Sequence, residues 1–284
     1  MNEDSHQQDH AAEVTGIGYH RGRVKTDDQL DLVWQSWIPE APDGVILIIH
    51  GLAEHSGRYM NVVNHLVPLG YAIYGLDHLG HGQSEGQREV IDRFTDYTAT
   101  LEDFCALVED WQPEKPLFLL GHSMGGLIAT YYLLDHQADF RGAILSAPAV
   151  MVGDGVSQMT IRVGKVLSTV APTMGVLALD VHDISRDPAV VDAYVNDPLV
   201  YQGKTPARLA AEMLKTMGIV SVRMGEIRLP FIVLQGSADK LVDPAGAQML
   251  FDQASSSDKK LNVYDGLYHE VFNEPEHDRV LSDV

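Results

Sequence analysis

Apolar residues in this chain fall into short continuous runs separated by stretches in which they recur every three or four positions. The runs at 45–49, 71–76, 117–120, 142–147, 230–235 and 261–264 contain no charged residue and read as strands covered on both faces. Helical spacing fills the gaps: Val62, Val63, Leu66 and Leu69 within 56–70; Phe94, Tyr97, Leu101, Phe104, Cys105 and Leu107 within 91–111; Leu127, Tyr131 and Leu134 within 124–136. Such alternation, with no internal repeat, predicts an α/β chain built on a mainly parallel central sheet flanked by helices through right-handed crossovers. Ahead of it, extended pieces at 15–20 and 30–38 enclose the polar cluster Thr26-Asp27-Asp28-Gln29 and predict an antiparallel hairpin that opens the sheet.

Between 149 and 228 this rhythm stops. Helix-like pieces at 156–170, 188–195 and 206–217 are punctuated by Pro172, Pro188, Pro198 and Pro206, with no strand pattern among them. The expected organisation is a disordered acidic tail (1–14), a first core part (15–148), an inserted helical cap (149–228) and a second core part (229–284). In the first cap piece Met159, Val163, Val166, Leu167 and Val170 form an apolar stripe, which serves either packing on the core or a lipid-facing lid. The last helix, from 276 to 284, is short for closing a sheet flank and suggests a missing end.

The chain has 284 residues, enough for one large α/β core plus an insertion, and no stretch approaches the ~18 apolar residues of a membrane span. Twenty Lys and Arg against 40 Asp and Glu give a formal charge of −20, which repels phosphate backbones and anionic lipid surfaces and argues against a nucleic-acid partner. The first 13 residues are polar, without a basic or apolar secretory pattern, so a cytoplasmic location, with peripheral membrane contact through the cap, is the expectation. Cys105 is the only cysteine, and its place in a helical stripe makes it a small core hydrophobe.

The chemistry starts at Gly121-His122-Ser123-Met124-Gly125, where a buried strand runs into a helix through one serine. A turn that tight needs nearly bare flanking residues and holds the Ser123 hydroxyl out of the chain, over a helix N-terminus whose unpaired N–H groups suit an oxyanion. Met124 N–H is the first expected donor. The His50-Gly51-Leu52 step after the 45–49 strand offers Leu52 N–H as the second. An activated serine also needs a base and an acid, and the order Ser, Asp, His is met by Ser123, Asp239 and His269, each just past a strand. Asp243 and His277 are rivals, one beside Pro244 and the other on an exposed helix. The spacings of His50, His55, His78 and His81 match no common zinc pattern, so neither metal nor cofactor is expected.

Taken together, the run from His50 to Tyr59, the segment Asp77-His78-Leu79-Gly80-His81-Gly82-Gln83-Ser84-Glu85-Gly86, the elbow, Gln235-Gly236-Ser237-Ala238-Asp239, Tyr268-His269 and the cap segment Tyr194-Val195-Asn196-Asp197-Pro198-Leu199 resemble the monoacylglycerol lipases of the α/β-hydrolase superfamily. The resemblance spans about 44–269 and implies the α/β-hydrolase fold, with Ser123 as nucleophile, Asp239 as acid, His269 as base and Leu52 and Met124 as oxyanion donors. It further implies a glycerol pocket near Glu54, Arg58, His122 and Tyr194 and a monoacylglycerol or similar small lipid ester as substrate. Where this chain has Leu52-Ala53, some members carry an Ala-Gly step, and where it has Val242, a cysteine. A broader carboxylesterase or lysophospholipase, and a non-catalytic binding protein on the same scaffold, remain the alternatives.

Overall fold

The computed structural model describes residues 17–26, 29–152 and 158–284, with 158–161 as backbone. The strands are β1 (Ile17–Lys25), β2 (Asp31–Pro39), β3 (Gly44–Ile49), β4 (Tyr71–Leu76), β5 (Leu117–His122), β6 (Gly142–Ser146), β7 (Gly175–Leu177), β8 (Thr205–Pro206), β9 (Phe231–Gly236) and β10 (Lys259–Tyr264). Eight of them form one sheet in the order β1-β2-β4-β3-β5-β6-β9-β10. β1 and β2 pair antiparallel with each other, β2 runs antiparallel to β4, and β4, β3, β5, β6, β9 and β10 run parallel. The opening hairpin and the parallel core are those the apolar pattern predicts.

Every residue of β3 is buried, as its charge-free sequence requires. From β3 the chain turns to one side to make β4 and then crosses to the other side to make β5. This reversal opens a crevice at the carboxyl ends of β3 and β5, the place where open α/β sheets bind ligands.

The helices are α1 (Met60–Leu66), α2 (Thr95–Trp111), α3 (Met124–His136), α4 (Gln158–Val170), α5 (Pro188–Asn196), α6 (Ala207–Arg223), α7 (Ala245–Gln253) and α8 (His277–Leu281). Two large apolar clusters cover the two faces of the sheet, one around α2 and α3 and one around α1 and α8. Leu69, expected to face inward, is 59% exposed. Pro68 converts the last turn of α1 into a 3-10 turn that ends at Gly70 in the left-handed region (φ 95°), and this rotates Leu69 outward.

Two elements escape the periodicity. α7 follows Asp243, whose Oδ1 accepts from Ala245 N–H at 2.9 Å. β7 and β8 pair antiparallel inside a segment expected to be wholly helical. They are three and two residues long, too short to leave an apolar run.

Of the apolar stripe on α4, Val163, Val166 and Val170 are 50%, 60% and 71% exposed and Leu167 is half-buried, so this part of the stripe faces outward. The tail at 1–14, the centre of the hairpin turn at 27–28, the first residues of the 156–170 piece and the Met159 side chain lie outside the described residues. No helix among the described residues is long and apolar enough to cross a membrane.

Candidate active site

Ser123 joins β5 to α3 with φ 54° and ψ −118°, a conformation that a non-glycine residue adopts only when its surroundings enforce it. The enforcement is steric. A Cβ on Gly125 would sit 1.9 Å from the Ile49 carbonyl oxygen, and one on Gly121 would sit 2.6 Å from that of Gly125. Bare residues on both sides therefore let the turn press against the end of β3. Hydrogen bonds secure it: Ser123 N–H donates to Ser146 O at 3.0 Å, and Ser123 O accepts from Leu127 and Ala149 N–H, both at 3.1 Å. No side chain caps α3, so its first turn, beginning at Met124, keeps the partial positive charge of a helix N-terminus.

Beyond β9 and β10, two loops meet. A Cβ on Gly236 would lie 2.1 Å from Tyr268 O, which shows how closely they approach. Across this contact His269 Nδ1 lies 2.8 Å from Asp239 Oδ2. The same carboxylate accepts from Gln235 Nε2 at 3.0 Å and from Leu241 and Val242 N–H at 2.9 and 3.0 Å. Burial works against the charge on each partner, and the attraction between them more than offsets it. Asp239 is consequently held below the usual carboxylate range, and His269 is raised above its ordinary 6.5. With Nδ1–H directed at Asp239, Nε2 is the ring nitrogen left to accept a proton.

Glu54 closes the other side. Its Oε1 accepts from Gly51 N–H at 2.6 Å and Tyr59 O–H at 2.7 Å, and its Oε2 accepts from Arg58 Nη1 at 2.8 Å. Arg58 also grips Glu270 through both nitrogens, at 2.6 and 2.8 Å, under the ring of Tyr194, whose centroid is 4.5 Å away. Burial disfavours the Glu270 carboxylate and Arg58 more than compensates, holding Glu270 below its usual range. Glu270 was not singled out by sequence. Its only signal is its place directly after His269.

His122 packs its ring 4.7 Å from that of His269 and meets Ser146 Oγ at 3.1 Å. Burial and the neighbouring His269 push it down to about 4, so it is neutral at ordinary pH. The rings of His50 and His78 meet at 4.1 Å with their planes tilted by 42°, and burial lowers the pKa of both. His50 contacts Gly51 O through Nδ1 at 2.8 Å and accepts from His78 N–H at 2.9 Å, which shapes the loop after β3. His55 reaches Asp197 at 2.9 Å. Among the described residues no group of three or more His, Cys, Asp or Glu could hold a metal ion.

One cavity of about 650 Å³ receives these groups. Ser123, Asp239, His269, Leu52, Glu54, His122 and Tyr194 line it, together with Glu270. Arg58 does not: expected to touch substrate, it stands behind Glu54 and Glu270 and is occupied by both. Met124 is also outside the wall, its side chain fully buried, so only its backbone can contribute. Asp243 is in the wall but engaged at the start of α7, while His277 contacts Glu274 O away from the cavity. The 149–228 segment adds the apolar side chains of Leu177, Leu179, Met213, Leu214 and Met217 to the same wall.

Known proteins resemble this chain over most of its length. The family model for serine aminopeptidase S33, Hydrolase_4, matches residues 40–276. A monoacylglycerol lipase from Mycolicibacterium smegmatis is 40% identical over 254 residues, covering 89% of this chain and 91% of that protein. The phospholipase YtpA of Bacillus subtilis is 33% identical over 249 residues, covering 87% and 95%. Among solved structures, the monoacylglycerol lipase of Paleococcus ferrophilus superposes with a TM-score of 0.79 at 26% identity, over 94% of this chain and 96% of that one.

Proposed function

We propose that this chain, which belongs to the serine aminopeptidase S33 family of α/β hydrolases alongside monoacylglycerol lipases, cleaves monoacylglycerols to fatty acid and glycerol through an acyl-enzyme on Ser123. The observation that carries the reading is one cavity whose wall joins Ser123, His269 and Asp239 to both a polar group (Glu54, His122, Tyr194, Glu270) and an apolar group (Leu177, Leu179, Met213, Leu214, Met217), as a substrate with a small polar alcohol and a long acyl chain requires.

In the reading, His269 Nε2 takes the Ser123 proton as the hydroxyl attacks the ester carbonyl. Asp239 keeps the ring in the tautomer that allows this and stabilises the imidazolium that results. The oxyanion is held by Leu52 and Met124 N–H, at the carboxyl end of β3 and the N-terminus of α3. His269 then gives its proton to the departing glycerol oxygen, activates a water, and the acyl-enzyme releases the fatty acid. Glu54, His122 and Tyr194 face the glycerol, with Arg58 acting through Glu54.

The segment 149–228 serves as the cap over the acyl end. Val163, Val166 and Val170 on its outer face suit transient contact with an uncharged lipid surface or micelle, which a chain of formal charge −20 tolerates better than an anionic one. The similarity to a phospholipase keeps a second reading, lysophospholipid hydrolysis, on the same machinery.

The test is fatty acid release from 1- and 2-monoacylglycerols of short, medium and long chains, beside diacylglycerol, triacylglycerol and lysophosphatidylcholine, with Ser123→Ala as control. Release confined to monoacylglycerols and abolished in the variant supports the first reading. Equal turnover of all esters makes the protein a general esterase, and preference for lysophosphatidylcholine establishes the second reading.

A further inference from the structure

Where Glu54 and Glu270 line the cavity, charges of opposite sign do not balance. Glu54 and Glu270 both line it and share one guanidinium, that of Arg58. Glu54 accepts three donated hydrogen bonds, and Glu270 accepts a further one from Asn273 Nδ2 at 2.9 Å, the bonding of two ionised carboxylates. His122 contributes no positive charge, because it is neutral at ordinary pH. Asp239 adds its own negative charge beside the base, and Asp243 lines the same cavity. Lys240 is the one lysine or arginine in the described wall, and its Nζ is engaged by Asp183 at 2.7 Å.

We propose that Glu270 is a specificity-determining residue, whose carboxylate leaves the alcohol end of the cavity with one surplus negative charge and so restricts the reaction to esters of neutral or cationic alcohols. The inference rests on the ester-hydrolase reading above and adds to it the charge of the accepted head group. Glu54 and Arg58 alone would cancel. With Glu270 present, an anionic group on the leaving alcohol meets a net negative charge among largely buried side chains, where repulsion is stronger than in bulk water.

Glu270 is also the carboxylate that can be changed with least disturbance to the oxyanion loop. Glu54 holds Gly51 N–H and Tyr59 in place, whereas Glu270 bonds Arg58 and its own neighbour Asn273. Replacing Glu270 by glutamine keeps the shape and leaves Glu54 and Arg58 paired one to one.

The global charge of the chain would by itself disfavour anionic substrates, and salt separates the two effects. Surface repulsion is screened over ~10 Å at 0.1 M salt, and a buried charge is screened much less. The experiment measures kcat/KM for three esters with one acyl chain and head groups of similar size: glycerol (neutral), glycerate (anionic) and 3-dimethylamino-1,2-propanediol (cationic). Each is run at low and high salt with the wild type, Glu270→Gln and Glu270→Asp, and a short p-nitrophenyl ester reports whether each variant keeps a working nucleophile.

For the wild type, the anionic ester is expected to fall about 100-fold or more below the neutral one at both salt levels, with the cationic ester near the neutral one. Glu270→Gln narrows the neutral-to-anionic ratio by about tenfold or more, and Glu270→Asp, which keeps the charge, retains it. A wild-type ratio near one, or a ratio unchanged in an active Glu270→Gln variant, overturns the proposal. So does a wild-type preference that vanishes at high salt, which would assign it to the surface. If Glu270→Gln loses the p-nitrophenyl activity, the wild-type series decides by itself. Hydrolysis of the p-nitrophenyl ester without hydrolysis of any glycerol ester would instead refute the substrate reading, a distinct result.

Discussion

Asp239 Oδ2 meets His269 Nδ1 at 2.8 Å while three other donors, Gln235 Nε2 and the N–H groups of Leu241 and Val242, hold the same carboxylate. The acid is thus fixed before the imidazole arrives, and its orientation does not depend on the histidine. Asp239→Asn keeps the acceptor oxygen facing Leu241 and Val242 but can place an amide N–H opposite Nδ1. The ring then favours the tautomer with hydrogen on Nε2, which cannot take the Ser123 proton. The expected loss in kcat is about 10⁴-fold with the thermal midpoint nearly unchanged, measured by ester hydrolysis and calorimetry. Activity within tenfold of wild type would remove Asp239 from the chemistry.

Protonation of His269 gives the pH dependence. Burial opposes the imidazolium, the Asp239 carboxylate outweighs it, and the pKa stands above 6.5. Only the neutral ring can act as base, so kcat/KM falls as pH drops through that raised value, and the midpoint of the acidic limb lies above 6.5. Stability runs the opposite way: the charged pair contributes fully below the unfolded pKa of histidine and is lost as pH rises through the folded one. A pH–rate profile of a neutral ester checks the limb, and Asp239→Asn is expected to move what remains of it to lower pH.

Two glycines make opposite predictions. Gly125→Ala drives a methyl into the Ile49 carbonyl at 1.9 Å, and backbone cannot yield there, so the elbow and its activity are lost. Gly218, inside α6, has nothing within 4 Å of an added Cβ. Gly218→Ala is expected to stabilise the chain by about 0.5–1 kcal/mol through helix propensity alone, with activity unchanged. Denaturant titration and ester hydrolysis on both variants test the pair.

Arg58 pairs with two buried carboxylates, and burial would lower its own pKa were Glu270 and Glu54 not there to raise it. Arg58→Met leaves both uncompensated and is expected to cost about 3–5 kcal/mol in urea unfolding. Arg58→Lys restores only part, because an ammonium cannot keep the two-nitrogen grip on Glu270 together with the bond to Glu54. A loss below about 1 kcal/mol in Arg58→Met would mean that the network is hydrated in solution.

The sheet was legible because its parallel strands are buried on both faces and therefore charge-free, and Ser123, Asp239 and His269 could be read as strand-end residues for the same reason. The structure brings those three to one cavity. What escaped was set by packing between distant segments. Glu270 matters through Arg58, more than 200 positions away, and no local pattern announces that pairing. The resemblance puts Arg58 with Glu54 at the glycerol pocket, but it does not say which of the two stands in front. β7 and β8 leave no periodic trace at their length, and Asp243-Pro244, which starts α7, carries no apolar spacing of its own.

Three links join the 149–228 segment to the loop after β3: Tyr201 N–H to Ala53 O at 2.8 Å, Asp197 to His55 at 2.9 Å, and the Tyr194 ring on Arg58. Ala53, at the first of them, sits at φ 66°, directly after Leu52. The 149–228 segment is therefore a brace for the loop we propose to hold the oxyanion, as well as part of the cavity wall. Trimming the chain to its α/β layers would not yield a minimal catalyst, and grafting a relative's insertion to alter chain-length preference must carry Tyr194, Asp197 and Tyr201 along with the apolar lining.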